Sequence, residues 1–110
     1  MSEQVATLLS PFIERGLFNS PEQAVMTLAR DYTLHQIERH QKVIDRLQKK
    51  YGMSYEQFET YLAARSAALV KSPSPTLNAA LMTEEEDAFD WKVAREMLIK
   101  WLGLQTEVIG

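Results

Sequence analysis

The chain has 110 residues, 45% of them hydrophobic and 25% charged, with no cysteine and a formal net charge of −3. That length suits one domain on the usual prior of roughly 100–200 residues, and the apolar content is too high for a chain disordered throughout. Without cysteine, a disulfide scaffold, a cysteine nucleophile and a thiolate metal site are all excluded. No basic segment followed by an apolar run opens the chain, and no run approaches 18 consecutive apolar residues. The expectation is a soluble cytoplasmic protein with no signal peptide and no membrane span.

Taken in order, the punctuation is helical. A first helix is expected near 3–15, stopped by Gly16 after Arg15. Ser20-Pro21-Glu22-Gln23 reads as a start, with Ser as N-cap, Pro at the first helical position and Gln three residues after the cap. The helix it opens runs to Tyr51, where Gly52 follows a basic last turn. Ser54-Tyr55-Glu56-Gln57 repeats the capping box, with Met53 and Phe58 placed for a hydrophobic staple, and predicts a helix near 55–71. Ser72-Pro73-Ser74-Pro75 reads as a linker, followed by a short turn around Leu77–Leu81. Thr83-Glu84-Glu85-Glu86 reads as a third box, opening a last helix near 84–102 that Gly103 stops. No run alternates with the period of a strand. The fold class is all-α, with about four helices and one long central helix. The expected divisions are 1–71 as helical core and dimerisation region, 72–82 as linker and turn, and 83–110 as a C-terminal partner-binding helix.

The helix over 21–51 is long for the chain. At 1.5 Å per residue it extends about 45 Å, against a radius of gyration near 13 Å for a domain of about this size. Its apolar stripe drifts in one sense, as a period nearer 3.5 residues would. A homodimer is expected rather than a kink at Thr33–Gln36, with Val25, Leu28, Tyr32, Ile37, His40, Ile44 and Leu47 as candidate interface residues. The last helix carries two apolar stripes, one with Trp91, Ala94, Leu98, Trp101 and Leu102, the other with Phe89, Val93 and Met97. A helix apolar on two sides must bury both. Because tryptophan is a frequent binding anchor, Phe89, Trp91, Val93, Met97 and Trp101 are candidate partner-binding residues.

Residues able to carry chemistry are sparse. His35 and His40 lie about 140° apart on a helix, off the i, i+4 spacing of a zinc helix; His40 reads as a histidine at a helix interface. Ser10, Thr33 and Ser66 have no evident base beside them, and no glycine-rich phosphate loop is present. No catalytic residue, metal site or cofactor is expected, and a cleft lined by a histidine and carboxylates would be needed to revive an enzyme. The acidic group Glu84, Glu85, Glu86, Asp87 and Asp90 reads as a dipole-compensating first turn, or else as an acidic partner-binding segment. Arg65, on an apolar stripe, is expected to snorkel or to pair with a carboxylate. Residues 1–50 carry a net +1 and residues 51–110 a net −4. The basic residues between Arg30 and Lys50 are the only patch a phosphate backbone would notice, a weak basis for nucleic-acid binding.

The run Leu9-Ser10-Pro11-Phe12-Ile13-Glu14-Arg15-Gly16-Leu17-Phe18-Asn19-Ser20-Pro21-Glu22-Gln23-Ala24-Val25 resembles the helix–Gly-aromatic-x-Ser–helix step of ParD-like ribbon-helix-helix antitoxins. Lys50-Tyr51-Gly52-Met53-Ser54-Tyr55-Glu56-Gln57-Phe58 and Asp90-Trp91-Lys92 look like pieces of small prokaryotic presumed antitoxins. Together these segments touch about half the chain. At most Met1 to Gln4 could precede the first helix in this sequence, so the strand with which ribbon-helix-helix proteins read DNA is not expected. The resemblance therefore implies a dimeric antitoxin that occludes a toxin through its C-terminal helix, with operator binding left open. The competing expectation is a structural or assembly protein, a helical oligomer with no toxin.

Overall fold

Each helix begins where a side chain satisfies the orphan backbone donors of its first turn. In the computed structural model, which describes residues 2–108, α1 spans Glu3–Glu14 behind Ser2, whose hydroxyl accepts from the Val5 N–H at 3.2 Å. It closes in a Schellman motif: the Leu17 N–H donates to the Phe12 carbonyl, the Gly16 N–H donates to the Ile13 carbonyl, and Gly16 takes φ +73°. Helix α2 spans Pro21–Tyr51. Ser20 Oγ accepts from the Gln23 N–H, while the Gln23 side chain reaches back one residue further than expected, to the Asn19 N–H. Gly52, at φ +65°, ends it. Helix α3, Tyr55–Lys71, has the full reciprocal capping box between Ser54 and Gln57.

The fourth helix departs from expectation. Helix α4 spans Pro75–Val108, so the linker and turn expected over 72–82 shrink to 72–74, and the helix expected over 84–102 gains a turn or more at each end. The start is Ser74-Pro75, with the Leu77 N–H donating to Ser74 Oγ at 3.3 Å. This is the Ser-Pro signature that opens α2, with Pro at a position where its missing N–H costs nothing. Thr83 therefore lies inside a helix, and the acidic group after it is no first turn. Gly103 is not a stop either: it sits within α4 without a positive φ, where glycine costs up to about 1 kcal/mol against alanine but does not end a helix. All four elements are α-helices, and no strand occurs among the described residues. No helix of the described residues is long and apolar enough to cross a membrane.

The chain divides into two compact units, the first Met1–Ile37 with Trp101–Gly110, the second Glu38–Lys100. Helices α2 and α4 each contribute to both. The second unit has a core of Ile44, Leu47, Phe58, Trp91 and Ala94, with Met53, Tyr55, Tyr61 and Leu62 packed against it. Phe58 lies at the middle of the aromatic set, its ring centroid 4.1 Å from Tyr51 and 5.6 Å from Trp91. In the first unit the fully buried side chains among the described residues are Leu9, Ala24, Thr33 and Gln36, only two of them apolar. Thr33 donates to the Ala29 carbonyl at 2.7 Å, a bond made within its own helix.

This division accounts for the drifting stripe of α2. Val25, Leu28 and Tyr32 lie on one side of the helix, and Ile44, Leu47 and Tyr51 lie roughly a quarter turn away. The two sets belong to different units.

Candidate docking surface

The inner face of α4 is fixed by the second unit's core. Leu81, Asp87, Trp91 and Ala94 are buried. The Trp91 ring packs on Tyr55 and Phe58 at centroid distances of 5.6 Å each. Trp91, expected among the partner-binding residues, is fully buried and has no surface to offer. Its indole Nε1 lacks a hydrogen-bond partner, an uncompensated cost that its packing must exceed.

The acidic group splits by helix phase. Glu84 and Asp87 turn inward, each toward a cation and a phenol. Asp87 accepts from Lys50 Nζ at 2.6 Å and from the Tyr51 hydroxyl. Glu84 lies 2.8 Å from Arg65 Nε and accepts from the Tyr61 hydroxyl at 3.5 Å; the Arg65 guanidinium also stacks over the Tyr61 ring. Arg65 thus pairs with a carboxylate, as expected of a charge on an apolar stripe. A third bond, from Arg95 to Glu56 at 2.8 Å, joins α4 to α3, with Arg95 over the Tyr55 ring. Glu85, Glu86 and Asp90 point outward and are exposed.

Burial pushes the Asp87 carboxyl up, but the bonds from Lys50 and Tyr51 and the charges of Lys50 and Arg46 outweigh it, leaving the group below the usual carboxylate range. A lowered folded value stabilises fully above the unfolded value of about 3.9 and is lost as pH falls through the folded one. The urea midpoint should therefore hold from neutral pH to about 5 and drop below about 4. Asp87→Asn should cost about 1–2 kcal/mol at neutral pH, modest because Lys50 is nearly half exposed, and should flatten the acid limb. A mutant as acid-sensitive as the wild type would contradict this. At the opposite extreme, burial and the bond to Asp87 hold the Tyr51 phenol well above its ordinary range.

The outer face of α4 carries an exposed apolar stripe, with Phe89 also bordering a depression shared with Leu62 and Ser66 of α3 and with Lys92. Met82, Phe89, Val93 and Met97 follow one another along it, with Phe89 66% exposed and Met97 partly buried. Met82, Glu85, Glu86, Phe89 and Asp90 line one shallow depression there. The second apolar stripe expected on this helix is thus real, and it faces away from the second unit's core. Met82 was missed because the helix was expected to begin after it; the i, i+7 spacing to Phe89 was its signal.

The other expected site residues scatter. Trp101 belongs to the first unit, partly buried and edge-on to Tyr32 at 5.6 Å. Of the candidate dimer residues, Val25, Leu28 and Tyr32 are exposed in the first unit, and Ile37 and His40 are partly buried. Ile44 and Leu47 are instead core residues of the second unit, their surface taken by Phe58 and Trp91 in the same chain. Burial and the charge of Arg39 hold His40 below the usual imidazole range. Among the described residues no group of three or more His, Cys, Asp or Glu could hold a metal ion. No protein-family model matches the chain, and no curated protein or solved structure matches it.

Proposed function

We propose that this chain is a non-catalytic, antitoxin-like cytoplasmic binding protein that occludes a partner protein with the outer face of α4. The observation that carries the reading is Phe89. A phenyl ring two-thirds exposed sits on the side of α4 opposite a fully buried tryptophan, flanked by Met82 and Val93. Glu85, Glu86 and Asp90 border it, with Lys92 as the nearest exposed cation in sequence. Such a surface fits an apolar groove rimmed by basic side chains, the electrostatic complement that steers and selects a partner. A toxin that handles RNA, the partner class the resemblance to small antitoxins implies, would present a basic surface of this kind. Mixing the purified chain with the product of its neighbouring gene tests the reading; a stable complex is expected, and its absence at micromolar concentrations refutes a toxin partner encoded there.

The competing reading, an assembly protein without a toxin, draws on a different observation. Exposed large apolar side chains concentrate in the first unit, which supplies eleven of the sixteen found among the described residues.

A further inference from the structure

We infer that a second copy of this chain covers the first unit, docking on α1 and the first half of α2. On α1, Val5, Leu8 and Phe12 fall at i, i+3 and i+7; on α2, Val25, Leu28 and Tyr32 repeat that spacing. All six are exposed, Leu8 at 71% and Tyr32 at 58%. The charged residues of α1, Glu3 and Glu14, lie across the helix from its stripe. Two apolar stripes of helical period are therefore presented, the α1 stripe free of charge and the α2 stripe with Asp31 and His35 beside Leu28 and Tyr32, on a unit whose fully buried set among the described residues is Leu9, Ala24, Thr33 and Gln36. Leu9 and Ala24 are its only fully buried apolar side chains among the described residues, with Ile13, Phe18, Ile37 and Trp101 partly buried. Covering the two stripes adds to that burial.

The exposed area fits a second copy. A large apolar side chain presents on the order of 150–200 Å² when free, so the six leave about 500 Å² of apolar surface. Leu17, Leu102 and Leu104, also exposed in this unit, bring it toward the roughly 800 Å² per partner that a stable dimer buries. The first unit holds two basic and five acidic residues, the second ten of each. The α1 stripe carries none of that acidic surplus, while Asp31 borders the α2 stripe, so α1 is the part of the patch that meets its own copy across a two-fold axis without repulsion. A surface this apolar is also an aggregation hazard while uncovered, and another copy is the one partner present whenever the chain is. The inference is independent of the α4 reading, since Met82, Phe89, Val93 and Met97 take no part.

Sedimentation equilibrium of the full chain tests it, on the wild type, a Leu8→Glu/Leu28→Glu double variant and Phe89→Asp. The wild type and Phe89→Asp should sediment as two chains. The double variant should sediment as one, its self-affinity reduced at least about a hundredfold, with helical circular dichroism retained because both side chains are exposed in the single chain. If the glutamates cost helicity, Leu8→Ser/Leu28→Ser gives the same readout with a milder change. A wild type of single-chain mass at micromolar concentration overturns the inference, as does a folded double variant that remains two chains. Loss of the dimer in Phe89→Asp overturns it too, by placing self-association on α4.

Discussion

Trp91→Ala should lower the stability of the second unit by about 3–5 kcal/mol, read as a fall in the urea midpoint by circular dichroism. The side chain is fully buried between Tyr55 and Phe58, in the largest aromatic cluster of the chain. Removing it opens a cavity that neighbours on three helices cannot all collapse to fill. Against a total of about 5–15 kcal/mol for a small domain, that is a large share. Trp91→Phe should cost far less than the alanine change. It keeps most of the ring contact and removes an indole N–H that has no hydrogen-bond partner. An alanine variant within about 1 kcal/mol of wild type would mean that Trp91 is not the core residue described here.

Phe89→Asp should do the reverse: leave folding nearly untouched and weaken partner binding by at least about thirtyfold, the loss of about 2 kcal/mol that marks a hot spot. The ring is exposed, so its removal takes little burial from the folded chain. The new carboxylate joins Glu85, Glu86 and Asp90 on a surface that is already acidic, adding a desolvation cost at the centre of the docking face. Titration calorimetry against the neighbouring gene's product measures the affinity, and thermal unfolding controls for stability. An unchanged affinity would remove the outer face of α4 from the interface. The pairing of Trp91→Ala with Phe89→Asp separates two residues that the sequence groups together.

That grouping shows where the sequence is readable. The class of fold, two of the helix starts and two of the stops lie in local chemistry: Ser20, Ser54 and the glycines at 16 and 52 act on their nearest turns, and the structure keeps them. The two stripes of α4 are legible as well, because helical phase needs no tertiary knowledge. Which stripe faces inward is not local. Trp91 and Phe89 are both large, aromatic and plausible anchors, and only the packing of α3 against α4 sends Trp91 into the core.

The misread segments have physical reasons of their own. Ser72-Pro73-Ser74-Pro75 contains both a breaker and a starter, and treating all four residues alike hides the Ser-Pro pair that opens α4. Thr83-Glu84-Glu85-Glu86 has the residues of a capping box but sits in mid-helix, where two of the acidic side chains after Thr83, Glu84 and Asp87, are spent on Arg65 and Lys50. On α2 the apolar stripe is continuous in sequence, while its residues serve two units. Ile44 and Leu47 looked like interface for that reason, and Leu8 and Phe12 on α1 went unnoticed because nothing local says which arc of a short helix is covered.

The methionines supply the most direct test of the docking claim, because the chain carries them in distinct places. Met82 and Met97 lie on the outer face of α4, Met53 packs against the second unit's core, and Met26 is exposed in the first unit. With the methionine methyls labelled with carbon-13, a titration with the neighbouring gene's product should shift or broaden Met82 and Met97 and leave Met26 and Met53 in place. A saturable complex in which Met82 and Met97 stay unmoved would contradict the account.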